Sequence, residues 1–212
     1  MTHKFDKEYF TNNNYASYLD REERYARMMN EIHYDLFRRL CLDFTNERVV
    51  DFGCAVGFVT KALLTLGYKR VQGYDTSEWA IAWAKDVLQL KNHVTADITD
   101  ILWNPKLMLA FDVFEHMNEL ELRQMLNDKM PNHLLVRIPL AKSDNKNYVL
   151  TVSERDPTHQ IRWTRNTWKT FFASLTFPLE WQYDVNLGLF YDTPGVMCSM
   201  FRLKQMQTNS IK

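Results

Sequence analysis

The side chains best equipped for proton or ligand chemistry fall in two strings, Asp112-Val113-Phe114-Glu115-His116 and His159-Gln160-Ile161-Arg162-Trp163-Thr164-Arg165. Imidazole is the group whose ordinary pKa lies nearest neutrality, so His116 and His159 are suited to take a proton from a hydroxyl or an ammonium. His116 is the first candidate for such a base and His159 the second. A different chemistry is written upstream, in Asp51-Phe52-Gly53-Cys54-Ala55-Val56-Gly57, where two glycines four apart follow a carboxylate. Glycine adopts backbone angles closed to other residues and leaves no Cβ between main chain and ligand, so a ligand can lie against that turn. Cys54 reads as a small apolar filler of the turn rather than a reactive thiol. His3, His33 and His93 read as surface or packing residues.

Those residues need elements to hold them. Arg48 to Asp51 is a β-branched run that reads as a strand, and a helical pattern opens at Phe58 and runs to Leu66. Lys69 to Asp75 is a second strand, and its Asp75 lies about 24 positions beyond Asp51, close to the ~20-residue offset at which an acid meets a ribose in Rossmann-type units. Thr76-Ser77-Glu78 caps a helix whose stripe is Trp79, Ala82, Trp83, Val87 and Leu88. His93 to Ile98 is a third strand. Lys106 to Phe111 is apolar nearly throughout, as a buried parallel strand should be, and it delivers Asp112 and His116 to the carboxyl rim of the sheet. Glu119 to Met130 is a helix ended by Pro131, and His133 to Pro139 a fifth strand.

The polar stretch Leu140 to Pro157 is a candidate substrate loop by its length, with Ser143 to Thr158 shaping the acceptor pocket. Thr164 caps a helix that buries Trp168, Phe171 and Phe172. Leu179 to Val185 and Val196 to Leu203 form an antiparallel hairpin across a connection bearing Gly and Pro. Ahead of the first strand, Tyr18, Tyr25, Met29, Ile32, Phe37 and Leu40 keep one face of a helix expected over the mouth of the sheet. The segment Tyr9 to Tyr15 is turn-forming, with aromatics at both ends.

Taken together, Asp51, Gly53, Cys54 and Gly57, followed by Gly73-Tyr74-Asp75, resemble the first two motifs of class I S-adenosylmethionine-dependent methyltransferases. The likeness runs from about Val49 to at least Trp168. Ala55 stands where that family usually has a central glycine. The resemblance implies an α/β fold with a Rossmann-like seven-stranded, mostly parallel sheet, helices on both faces and a C-terminal antiparallel hairpin. It implies S-adenosyl-L-methionine as cofactor, held by Asp51, Gly53, Cys54, Ala55, Gly57, Asp75, Thr76, Asp97, Ile98 and Asp112. Asp51 and Gly53 would border the methionine end and Asp75 the ribose. Asp97 would reach the adenine amine, Ile98 would offer a backbone amide, and Asp112 would lie at the strand end facing the sulfonium.

The activity this implies is methyl transfer to an oxygen or nitrogen of a small molecule, with no residue assigned to a metal. A second resemblance competes with it. Asp112, Glu115, His116 and His159 are similar to the metal site of RNA terminal 2′-O-methyltransferases, although those enzymes carry a longer Glu where Asp112 stands. A catalytically silent cofactor-binding subunit is a further alternative. Nicotinamide oxidoreductase ranks behind them, because the dinucleotide fingerprint wants a third glycine that is missing here.

Composition sets the frame. The 212 residues are enough for one domain with a substantial core, expected as a helical cap over 1–44 and an α/β core over 45–212. The 46% hydrophobic and 25% charged content is that of an ordinary globular chain. With 26 basic against 26 acidic side chains there is no global field to attract a polyanion, which argues against a nucleic-acid partner. No apolar run reaches the ~18 residues of a membrane span, and the polar start lacks a signal-peptide apolar region. Three scattered cysteines fit a reducing compartment, so the expected location is cytoplasmic. The oligomeric state is left open.

Overall fold

The computed structural model describes residues 5–11, 17–101, 103–185 and 195–204. The centre of the expected N-terminal turn and most of the hairpin connection lie outside the described residues. Seven strands form one sheet: β1 (Arg48–Phe52), β2 (Arg70–Tyr74), β3 (Val94–Thr95), β4 (Leu107–Phe111), β5 (His133–Pro139), β6 (Leu179–Asp184) and β7 (Val196–Leu203). Their order is β3-β2-β1-β4-β5-β7-β6. Every pair from β3 to β5 is parallel, while β7 runs antiparallel between β5 and β6. The order reverses between β1 and β4, and ligands of open α/β sheets bind beyond the carboxyl ends of the strands at such a point.

Alternation along the central strands builds a core on each face, because successive side chains of a strand point to opposite sides. Val50, Met108, Ala110, Leu134 and Val136 face one way. They meet Leu122 and Leu126 of α5 (Glu119–Lys129) and Trp168 and Phe172 of α7 (Arg165–Ala173). Val49, Leu107, Leu109 and Leu135 face the other way, against α2 (Glu22–Leu40) and α3 (Phe58–Thr65). Both caps on the first side are as the residue types require. Asn118 and Glu121 form a reciprocal capping box at the start of α5, and the Thr164 hydroxyl accepts the amide of Thr167 at α7.

Four expectations are corrected. Helix α2 covers a face of the sheet rather than its mouth, burying Met28, Met29, Ile32 and Leu36 while Phe37 is exposed. Of the described residues just before and within this helix, Tyr18, Arg21, Arg24 and Tyr25 line the cavity at the mouth. The helix α4 (Glu78–Val87) buries Ala80, Ile81 and Ala84 instead of Ala82 and Val87, which are exposed. The cause is close approach: a Cβ built on Gly57 would lie 3.2 Å from the Ala84 Cβ and 2.7 Å from Leu90, so small side chains must face inward and the tryptophans flank them. The third strand is cut to two residues, because the Asp97 carboxylate accepts both the amide and the hydroxyl of Thr99 and turns the chain into a 3-10 helix. Finally, the stretch from Leu140 to Pro157 is not plain loop. It pairs Ala141 with Tyr148 and carries α6 (Thr151–Glu154), pinned where Glu154 accepts Arg162 and the Tyr148 amide.

Among the described residues, no helix is long and apolar enough to cross a membrane. A short N-terminal helix, α1 (Lys7–Thr11), completes the architecture. Its Phe10 stacks on Trp79 with centroids 5.7 Å apart, which brings Phe5 and Tyr9 over the carboxyl rim.

Candidate active site

The turn after β1 is bent onto β2 by two amides, since the N–H groups of Gly53 and Cys54 both donate to the Tyr74 carbonyl at 2.7 and 2.8 Å. Gly53, Ala55 and Gly57 all have left-handed backbones, with φ of 77°, 49° and 85°. That conformation costs an alanine about 1 kcal/mol or more. Ala55 is held there because its amide donates to Asp75 Oδ2 at 2.8 Å, while Asp75 Oδ1 accepts the Ser77 amide at 2.8 Å. Asp75 thus ties the two ligand-side turns together. Burial pushes its carboxyl above the ordinary range, against the pull of those two amides.

Gly53, Ala55, Asp75, Thr76, Ile98 and Asp112 border a cavity of about 910 Å³ at the switch point. Each Asp75 oxygen keeps a second lone pair for a sugar hydroxyl beyond its amide partner, and Tyr74 and Ile98 give an apolar strip beside it. The fit to an adenosine-bearing cofactor therefore rests on Asp75 and on the bare turn at Gly53.

Not every residue expected at the cofactor faces this space. Asp51, Cys54, Gly57 and Asp97 are not among the cavity's lining residues. Cys54 packs under Gly73, where an added Cβ would lie 3.0 Å from its Sγ. Gly57 meets α4, and Asp97 is engaged with Thr99. Asp51 lies behind the turn and accepts the Thr60 hydroxyl at 2.7 Å. Burial, opposed by Thr60 and helped by Asp75, lifts its pKa to about 7.

A carboxylate harder to ionise in the folded than in the unfolded chain favours folding at low pH. That stability is lost as pH rises from the unfolded pKa near ~4 through about 7. Asp51→Asn keeps an acceptor for Thr60 and removes the ionisation. The melting temperature of this variant relative to the parent should therefore rise between pH 5 and pH 7 and level off above that, as differential scanning fluorimetry from pH 5 to pH 8 would record. A difference flat with pH would contradict this.

At the far end of the cavity the two predicted imidazoles come together. Glu115 and His116 lie on the 3-10 turn Phe114–His116 that follows β4, and the Glu115 carbonyl accepts the amides of Gln160 (2.6 Å) and Ile161 (3.0 Å). That pair draws the chain carrying His159 against the strand end. The rings of His116 and His159 have centroids 4.5 Å apart, and each Nε2 is 3.9 Å from Glu115 Oε1. His116 Nδ1 is 2.8 Å from the Thr158 hydroxyl, which donates in turn to Asp156 Oδ1. Tyr9 donates to Asp156 Oδ2 at 3.1 Å, and Phe5 packs edge-on against His116 at 5.4 Å. Burial lowers the pKa of His159, holding it neutral at physiological pH, and pushes the Glu115 carboxyl well above the usual range, with Asp112 adding to the effect.

Asp112 does not join this cluster. Its left-handed backbone (φ 56°) turns it to an ion pair with Arg137 at the cavity wall. Asp156, Thr158 and Arg137 were not named singly, although the first two lie in the segment Ser143 to Thr158 expected to shape the acceptor pocket. A carboxylate three residues before a histidine, and a lone arginine within the apolar strand His133 to Pro139, are the sequence signals that would have marked them.

Comparison with known proteins agrees with this architecture. A family model described as a methyltransferase domain matches residues 19–181. The ribosomal protein L11 methyltransferase of Shewanella sp. (strain ANA-3) is 48% identical over 44 residues, 21% of this chain and 15% of that protein, so the match spans a small part of the relative's length. Magnesium protoporphyrin IX methyltransferase from Synechocystis PCC 6803, solved with bound SAH, superposes with a TM-score of 0.59 at 16% identity over 93% of this chain and 98% of that one. The plantazolicin methyltransferase BpumL gives 0.63 at 15% identity over 94% and 93%.

Proposed function

The chain belongs to the methyltransferase domain family, within the class I S-adenosylmethionine-dependent superfamily, and from that premise we propose that it transfers a methyl group from S-adenosylmethionine to an oxygen or nitrogen of a small-molecule acceptor. The observation that carries this reading is one continuous cavity, bordered at one end by Gly53 and Asp75 and at the other by His116 and His159. The cofactor brings its own electrophile, a methyl carbon on a sulfonium. What the chain must supply is position and a place for the acceptor's proton.

Asp75 orients the cofactor's sugar, and the bare backbone at Gly53 admits its amino-acid end. Tyr18 and Tyr25 line the region between the two ends. Burial raises both phenols, so they stay protonated and serve as hydrogen-bonding groups. His116 and His159 sit where an acceptor would enter and present the groups that handle its proton. Phe5 and Tyr9 roof that end and exclude water from it.

The size of the cavity suits a small acceptor beside the cofactor. Incubation with S-adenosylmethionine and a panel of hydroxyl and amine acceptors, read as S-adenosylhomocysteine released, tests the proposal. We expect acceptor-dependent turnover that falls at least ~100-fold in His116→Ala. A panel without turnover in a chain that binds the cofactor would favour a silent binding subunit.

A further inference from the structure

We propose that the acceptor carries a carboxylate, held beside the transfer point by Arg21, Arg24 and Arg137 on one wall of the cavity. The inference deepens the methyl-transfer reading and rests on it, naming the charge of the substrate and the side chains that anchor it.

The fixed positive charges bordering the cavity are three arginines, with no lysine among the described residues that line it. Arg21 caps the start of α2, Arg24 lies in its first turn, and Arg137 projects from β5. Tyr25 marks where they meet. Beyond the desolvation that dominates both groups, the charges of Asp112 and Arg137 act on the Tyr25 phenol and on the Glu115 carboxyl alike, and that of Arg21 acts on the phenol too. Arg137 is therefore within reach of both the middle of the cavity and its acceptor end.

The neighbouring acids are turned away from this wall. Glu22 pairs with Lys61 at 2.7 Å and Glu23 with Arg27, and neither glutamate lines the cavity. Asp112 pairs with Arg137, but it does so through a left-handed backbone (φ 56°) that a side chain adopts only at a cost. Arg137 keeps 20% of its side chain exposed and sits in β5 between Val136 and Ile138, both buried. An apolar pair would pack this part of the sheet at least as well. A strained aspartate and a desolvated guanidinium side by side are costs of the kind that collect where a ligand is held.

Three guanidinium charges against the one carboxylate paired with Arg137 leave a wall complementary to an anion. A guanidinium has five N–H donors in a planar fork, so Arg137 can hold Asp112 and a ligand carboxylate together. The cost of desolvating an ion grows with the square of its charge, whereas its attraction to the wall grows only in proportion. Under the roof of Phe5 and Tyr9 a carboxylate is thereby favoured over a phosphate dianion. Pro139, Leu150 and Val196 give the same cavity apolar surface for the acceptor's body. With the carboxylate anchored at the arginines, the hydroxyl or amine to be methylated points to His116 and His159.

Calorimetry on protein saturated with S-adenosylhomocysteine tests this with matched pairs, 3-hydroxybenzoate against 3-hydroxybenzamide and 4-hydroxyphenylacetate against its amide, and with phenyl phosphate. Each carboxylate should bind at least ~10-fold more tightly than its amide, the equivalent of one charge-assisted bond. Arg137→Gln should remove that preference and Asp112→Asn should increase it. Arg24→Gln, at an exposed position that leaves the fold intact, should reduce it about threefold. The ratio is read on folded, cofactor-loaded protein, so a merely structural role for these residues would not move it.

Carboxylates bound no better than their amides, a preference unchanged in both arginine variants, or phenyl phosphate bound more tightly than the carboxylates overturns the inference. So does a wall that serves the cofactor's own carboxylate. In that case Arg137→Gln would weaken S-adenosylhomocysteine relative to 5′-methylthioadenosine, which lacks the amino-acid end, and leave the acceptor ratio as it was. The same titrations without S-adenosylhomocysteine separate the two readings. A chain that takes the thioether without preferring carboxylates loses only the anionic acceptor; one that prefers carboxylates but takes no thioether loses the methyl-transfer reading and keeps the anion site.

Discussion

Gly53→Ala should unfold the cofactor turn, lowering stability by about 3 kcal/mol and abolishing measurable cofactor binding. Two causes add. At φ 77° any side chain is strained, and a Cβ at this position would lie 2.3 Å from Val113 Cγ2, 2.8 Å from Cγ1 and 3.1 Å from Cβ. Valine is stiff at χ1 and cannot swing both methyls away, so backbone must move. The backbone that moves carries the amides holding the Gly53 turn to Tyr74. Gly67 supplies the control. It has φ 89° but nothing within 4 Å of an added Cβ, so Gly67→Ala feels the backbone strain alone and should cost about 1 kcal/mol. Thermal melts should therefore place Gly53→Ala roughly 6–12 °C below the parent and Gly67→Ala only ~2–4 °C below it. Equal losses would mean that Val113 yields freely and that the turn tolerates a side chain.

Asp75→Ala should separate affinity from stability. The carboxylate is half-buried, and its desolvation raises its pKa and makes its ionised form costly to keep. Removing it strips an acceptor from the amides of Ala55 and Ser77 but also removes that burial cost, so the net loss of stability should be about 1 kcal/mol. The cofactor, by contrast, loses the charge-assisted bonds proposed to hold its sugar, each worth about 1.5–3 kcal/mol. Two such bonds correspond to a loss of at least ~100-fold in affinity. A variant that unfolds outright would show Asp75 to be a structural brace first. One that keeps full affinity would remove it from the ligand site.

Much of the scaffold could be read from residue types because its strands are β-branched or apolar runs ended by carboxylates. Val49 to Asp51, Val71 to Asp75 and Leu107 to Asp112 are such runs, and each forms or ends a strand of the sheet. The caps at Ser77 and Thr164 were legible for a local reason, since side chain and amide are three residues apart. Burial was misjudged where size and packing disagreed. Trp79 and Trp83 look like a core stripe, yet the close approach of Gly57 admits only Ala80, Ile81 and Ala84. The third strand came out shorter than read because one oxygen of Asp97, Oδ1, accepts both the amide and the hydroxyl of its neighbour Thr99 and turns the chain.

The acceptor end was half visible. His116 and His159 could be named from the sequence, but their meeting depends on two amides donated to the Glu115 carbonyl across the sheet rim. Such tertiary bonds leave no periodic signature. Nor could the sequence show that Asp112 would leave the cluster for Arg137, or that Asp156 would enter through Thr158. Spacing places a residue on an element. It does not say which of two nearby partners will win its side chain.

Calorimetric titration of the parent chain with S-adenosylhomocysteine, with NADH as the comparison, bears most directly on the account. One site per chain for the thioether nucleoside, none for NADH, and a large loss of thioether affinity in Asp75→Ala is the predicted result. Binding of NADH with no heat from S-adenosylhomocysteine would contradict it.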